Sequence, residues 1–138
     1  MMKSGWIFGI ILWALVPNLA WADTCDTPKT QAEMTYCADW WFKKNDAAMS
    51  DAYSRLRTYY AKIPSAKAGL LKAQRTWLAF RDAECALEAL GETGGTARPM
   101  IYNQCLSGLT QLRAEQLQRR LDCQEGDLTC IAAGDAAN

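Results

Sequence analysis

The stretch Ala73-Gln74-Arg75-Thr76-Trp77-Leu78-Ala79-Phe80-Arg81-Asp82-Ala83-Glu84-Cys85 decides how the chain folds. Wound as a helix at about 100° per residue, it brings Gln74, Trp77, Arg81 and Cys85 into one stripe with Leu70, Leu71 and Leu78. So apolar a stripe faces a core, yet its middle holds an amide and a guanidinium. Both are costly to bury unpaired. The fold must therefore supply partners for Gln74 and Arg81 inside.

Working outward, two more helical periods flank this one. Upstream, Thr30 and Glu33 form a capping-box pair at a helix start. Met34, Ala38, Trp41, Asn45, Ala48, Met49, Ala52, Leu56, Tyr59 and Ile63 then recur at steps of three and four as far as Pro64. Asn45-Asp46 marks a candidate kink. Pro64 ends this helix and opens the second, which runs to about Leu90. The run Gly91-Glu92-Thr93-Gly94-Gly95-Thr96 interrupts it, because glycine is entropically costly in a helix. Pro99 suits a third N-terminus. That helix extends to about Asp122 with Leu106, Leu109, Leu112, Leu117 and Leu121. No internal repeat and no strand-like alternation is present. The expected fold is all-α: an antiparallel long helical hairpin plus a third helix, stapled by disulfides.

The first 22 residues read as an export signal, with Lys3, an apolar run from Trp6 to Val16 and Ala20-Trp21-Ala22 in A-x-A form. The run is too short for a comfortable membrane span. No cysteine follows the cleavage point directly, so a lipid anchor is not expected. Cleavage after Ala22 leaves 116 of 138 residues, with 14 basic against 15 acidic groups. One domain over 23–130 and a disordered tail over 131–138 are expected. The near-neutral charge gives no case for nucleic acid or anionic membranes. Periplasm or secretion is the expected destination.

All six cysteines lie in the exported part, and an oxidising compartment favours three disulfides. Six allow fifteen connectivities. Pairing the second and third helices around the glycine loop sets Cys85 level with Cys105, a bridge that contributes roughly 3 kcal/mol on the chain-entropy model. Cys123 and Cys130 are close in sequence, which leaves Cys25 for Cys37. The metal alternative is weak, since the chain has no histidine and no CxxC pair.

Without histidine, acid–base catalysis would fall to carboxylates, Lys, Tyr or Cys. Asp82 and Glu84 point to different sides of a helix, and Asp46 and Asp51 are placed to neutralise Arg81. An enzyme is not expected, and no motif calls for a cofactor. Asn45, Gln74, Trp77, Arg81 and Arg113 read as a structural polar layer, in which carboxylates neutralise the two arginines. Trp40, Trp41 and Phe42 cannot share one stripe. Trp41 belongs to the core stripe, and Trp40 either covers the N-terminal arm near Tyr36 or forms an exposed platform. The loop carrying Glu92, Thr93, Gly94, Gly95, Thr96 and Arg98 is either a connector or a partner-binding segment. It is not a phosphate loop, since no strand precedes it.

Taken in order, Thr30-Gln31-Ala32-Glu33-Met34-Thr35-Tyr36-Cys37, the helix from Gln74 to Cys85, Gly94-Gly95-Thr96, Cys105 and Leu109-Thr110-x-x-Arg113 resemble the LprI-like lysozyme-inhibitor domain of bacterial envelope proteins. The resemblance spans roughly residues 25–121 and leaves Cys123 and Cys130 outside the shared pattern. It implies a helical, exported, cysteine-bridged protein whose partner is lysozyme. Inhibition would work by occupying the enzyme's cleft. A cell-envelope module that binds a protein or glycan without inhibiting is the alternative.

Overall fold

A computed structural model describes residues 25–124 and 126–131. The expected export signal lies outside the described residues. Three long helices carry the chain: α1 (Gln31–Tyr59), α2 (Pro64–Glu88) and α3 (Arg98–Leu121). Among the described residues there is no strand.

Local chemistry fixes the helix ends. The Thr30 hydroxyl accepts from the Glu33 N–H at 3.2 Å, and the Glu33 carboxylate accepts from the N–H groups of Thr30 at 3.0 Å and Lys29 at 2.7 Å. These bonds satisfy donors that a helix start leaves open. α1 then continues unbroken through Asn45 and Asp46. It tightens into a 3₁₀ turn at Tyr60–Lys62 before Pro64 starts α2. α2 ends in a second 3₁₀ turn, Ala89–Glu92, and Gly94 takes a φ of 82° that favours glycine. Pro99 sits in the first turn of α3.

The path runs up, down and up, so α2 is antiparallel to both neighbours and α1 is parallel to α3. Cross-helix hydrogen bonds show the parallel register: Gln31 to Met100, Asn45 to Ser107 and Arg55 to Gln118. α1 and α3 are the two backbones that run closest together. Ala38, Ser107 and Gly108 line one groove along this pair, and Ala48, Ala52 and Ala114 line another. Small residues let helices approach, whereas the bulk of Trp77 and Arg81 holds α2 further out.

Packing along the bundle is layered. At the α1–α2 turn, Met49, Ala52, Leu56, Tyr60, Ile63, Ala66, Leu70 and Leu117 form the apolar core. Arg81, Gln74, Thr110 and Arg113 are buried in the middle. At the far end, Cys85–Cys105 ties α2 to α3, and Cys25–Cys37 ties the N-terminal arm to α1. Cys123–Cys130 closes the segment after α3. All three pairs are those expected.

Several apolar positions depart from the expected stripes. Trp41 is 41% exposed and Leu112 61%, and Leu71 also faces outward. Tyr60 is buried in place of Tyr59, because the step from Leu56 to the core is four residues and the 3₁₀ turn then carries it three further to Ile63. Ile131, expected in the tail, packs against the core cluster. Residues 132–138 lie outside the described residues.

Candidate functional site

The polar layer is built by all three helices. Arg81 donates from Nε to Asp82 Oδ1 at 2.9 Å and from Nη1 to the fully buried Thr110 hydroxyl at 3.3 Å. Its Nη1 also lies 3.5 Å from Asp46 Oδ1 of α1. Asp51, the other expected partner, pairs with Arg55 on the surface instead. Arg113 donates from Nε to Gln74 Oε1 at 3.0 Å and from Nη1 to Gln116 Oε1 at 2.7 Å. Gln74 in turn donates to Met49 Sδ at 3.4 Å. Trp77 lies between the two cations, with Arg81 at 5.4 Å and Arg113 at 5.7 Å from its ring centroid. Such stacking suits a weakly hydrated guanidinium.

The expectation that carboxylates neutralise both arginines fails for Arg113. Among the described residues no carboxylate lies within ion-pair distance of it. Amide oxygens take its Nε and Nη1 donors without cancelling its charge. Burial therefore pushes its pKa down, and Arg120 adds to the shift. Asn45 turns to α3, where it donates to the Ser107 hydroxyl at 3.0 Å and the Ser107 carbonyl at 3.2 Å. It does not join the arginine layer. Phe42 does, with Arg81 at 5.4 Å from its ring centroid. Of the three consecutive aromatics, Phe42 faces inward because α2 flanks that side of α1. Trp40 and Trp41 meet edge to face at 4.6 Å, with Lys44 over both rings.

At the disulfide-bridged end, the 91–98 loop is exposed apart from Ala97. It is held by its own backbone: the Gly95 N–H donates to the Glu92 carbonyl at 2.9 Å. The Thr93 hydroxyl donates to the Leu90 carbonyl at 2.7 Å and is committed within the loop. Thr96 and Arg98 are left as outward donors. A Cβ on Gly95 would stand 2.7 Å from Glu92 Oε2 and 3.3 Å from the Glu92 carbonyl oxygen, so the turn is drawn tight there. Thr96 also borders a shallow depression with Gln31, Thr35, Tyr36 and Asp39 of α1 and Asn103 of α3. The loop and the Tyr36 face thus form one continuous surface. That adjacency was not legible in the sequence, since it depends on the parallel α1–α3 pairing.

No helix among the described residues is long and apolar enough to cross a membrane. The fold defines a class: a small helical domain braced by disulfides, with a polar layer inside and an exposed loop at one end. Within that class the chain belongs to the LprI lysozyme-inhibitor family, whose model matches residues 22–117. The matched span stops short of Cys123 and Cys130. An uncharacterized protein of Rhizobium meliloti (strain 1021) is similar, with 29% identity over 112 residues covering 73% of this chain and 81% of the relative. No solved structure matches. The family's description is inhibition of an enzyme, not catalysis.

Proposed function

We propose that the chain is exported and that it inhibits lysozyme, or a related peptidoglycan-cleaving enzyme, by inserting the 91–98 loop into its cleft. Residues 1–22 supply the export signal in this reading, and the product is periplasmic or secreted. One observation carries it: an exposed loop, tightened by Gly94 and Gly95, offers Thr96 and Arg98 at the end of the bundle that two disulfides brace. Glycosidic cleavage relies on two carboxyl groups lining a cleft. A guanidinium is suited to pair with one of them. A braced loop loses less freedom on docking, which favours affinity. Glu92 and Glu88, both exposed, would attract the basic surface of a lysozyme and speed encounter.

The test is a turbidity assay of cell-wall lysis with the oxidised protein. Arg98→Glu and Thr96→Asp should weaken inhibition at least about tenfold, the cost of one charge-assisted contact. Their melting temperatures should stay within a few degrees of wild type. Equal inhibition by wild type and both variants would move the site to the Tyr36 and Trp40 surface. The Trp40–Trp41–Lys44 cluster favours a second reading, a glycan- or protein-binding envelope module. That reading takes precedence if the wild type inhibits no lysozyme.

A further inference from the structure

We propose that the cavity between the start of α2 and the end of α3 binds a carboxylate carried on a short apolar chain. The cavity lies at the opposite end of the bundle from the 91–98 loop. Tyr60, Ile63, Leu70 and Ile131 give it apolar walls, and Arg113 and Arg120 also line it. Arg113 is only 7% exposed. Two of its nitrogens are held by Gln74 and Gln116, and its Nη2 has no hydrogen-bond acceptor among the described residues. Arg120 makes no ion pair among the described residues and is near enough to disfavour the Arg113 charge. Two like charges therefore border one largely apolar hollow, and among the described residues no carboxylate pairs with either.

An anion there would relieve that repulsion and pair with both arginines. The cost of desolvation selects the head group. The free Arg113 nitrogen and the exposed Arg120 guanidinium can both donate to a singly charged carboxylate. A dianionic phosphate would cost more to desolvate beside Ile63, Leu70 and Ile131 than a singly charged carboxylate. The walls select a hydrocarbon body, each buried methylene adding about 0.8 kcal/mol. A free fatty acid and the C-terminus of an apolar peptide both present this chemistry.

Isothermal titration calorimetry of the oxidised protein tests this with octanoate, octanol, acetate and N-acetyl-Leu-Leu bearing a free carboxylate. Octanoate should bind at least about tenfold tighter than octanol or acetate, the equivalent of one charge-assisted contact. Arg120→Gln should reduce octanoate binding by about the same factor and leave octanol unchanged. Gly69→Phe should abolish binding. Gly69 lines the cavity and is exposed, and a Cβ added to it would have nothing within 4 Å, so the backbone position itself tolerates a side chain. Binding of the dipeptide as well would make peptide C-termini the ligand class, and its failure beside octanoate binding would leave fatty acids. Equal affinity for octanoate and octanol, no heat with octanoate, or octanoate binding unchanged in Arg120→Gln would overturn the proposal. If Gly69→Phe does not fold, the Arg120→Gln comparison decides alone.

Discussion

Arg81 and Arg113 occupy the same layer but are stabilised in different ways. Arg81 is paired with two aspartates whose side chains remain 43% and 54% exposed. Removing it would therefore return carboxylates to water and not strand them in the core. The cost is then smaller than for a fully buried pair. What remains is a vacated space beside Trp77 and Phe42 and the loss of the donor to Thr110. We expect Arg81→Ala to lose about 2 kcal/mol in chemical denaturation, and Arg81→Met, which refills the space, about half of that. A loss above about 4 kcal/mol for both would mean that the charge itself holds the layer together. At this scale the sequence was informative about which polar groups go inside, since Gln74, Arg81 and Arg113 fall on apolar stripes. It named Asp46 for Arg81, 3.5 Å away in the structure, but not the neutral partners. Thr110 and Gln116 reach the arginines from a helix whose rotation no local signal reports. Periodicity chose Trp41 over Phe42 for the core, and the structure reverses that choice, because periodicity alone does not say which flank α2 covers.

The helices themselves were legible for local reasons. Thr30 with Glu33, Pro64, Gly94 and Pro99 each act within a turn or two of chain, so their effect follows from residue type. The parallel closeness of α1 and α3 was not, because it arises from small residues on two helices about 60 positions apart in sequence. Two predictions belong to elements. The Glu33 carboxylate has its pKa lowered, first by the Lys29 N–H, then by the Thr30 N–H. A carboxyl whose folded value lies below its unfolded one adds stability above the unfolded value and loses it as pH falls through the folded value. The start of α1 should therefore fray below the ordinary value of 4.5, read as Cα chemical shifts of Gln31–Thr35 moving toward coil while those of α2 hold. Shifts of α1 and α2 moving together would mean global unfolding instead. The disulfides rank by what they join. Their closed loops of 20, 12 and 7 residues differ little in chain entropy, within about 1 kcal/mol. Cys85 is fully buried and its bridge joins two helices, so Cys85→Ala with Cys105→Ala should lower the melting temperature most. Removal of Cys123–Cys130 should lower it least. The reverse order would show that the closing segment, through Ile131, anchors the core.

The molecule as a whole separates its two candidate surfaces. The 91–98 loop precedes α3 and Arg120 lies in its last turn, so about 22 residues of helix stand between Arg98 and Arg120, roughly 33 Å. The apolar core and the arginine layer fill that span. A packed core without a second arrangement transmits little between its ends, and substitutions so far apart with no shared partner add within a few tenths of a kcal/mol. Arg98→Glu should therefore weaken lysozyme inhibition and leave octanoate binding at wild-type strength. Arg120→Gln should do the opposite. The double variant should show the product of the two single effects, with coupling below about twofold, the factor that independent sites allow. The measurement is a double-mutant cycle on both readouts, inhibition and calorimetry, in one buffer. Coupling above about fivefold would put the two ends in communication and make the cavity a regulator of the loop. Such a result would require the α1–α3 pair to adopt two registers, and the tight Asn45–Ser107 contact at its centre would be the place to look for the second.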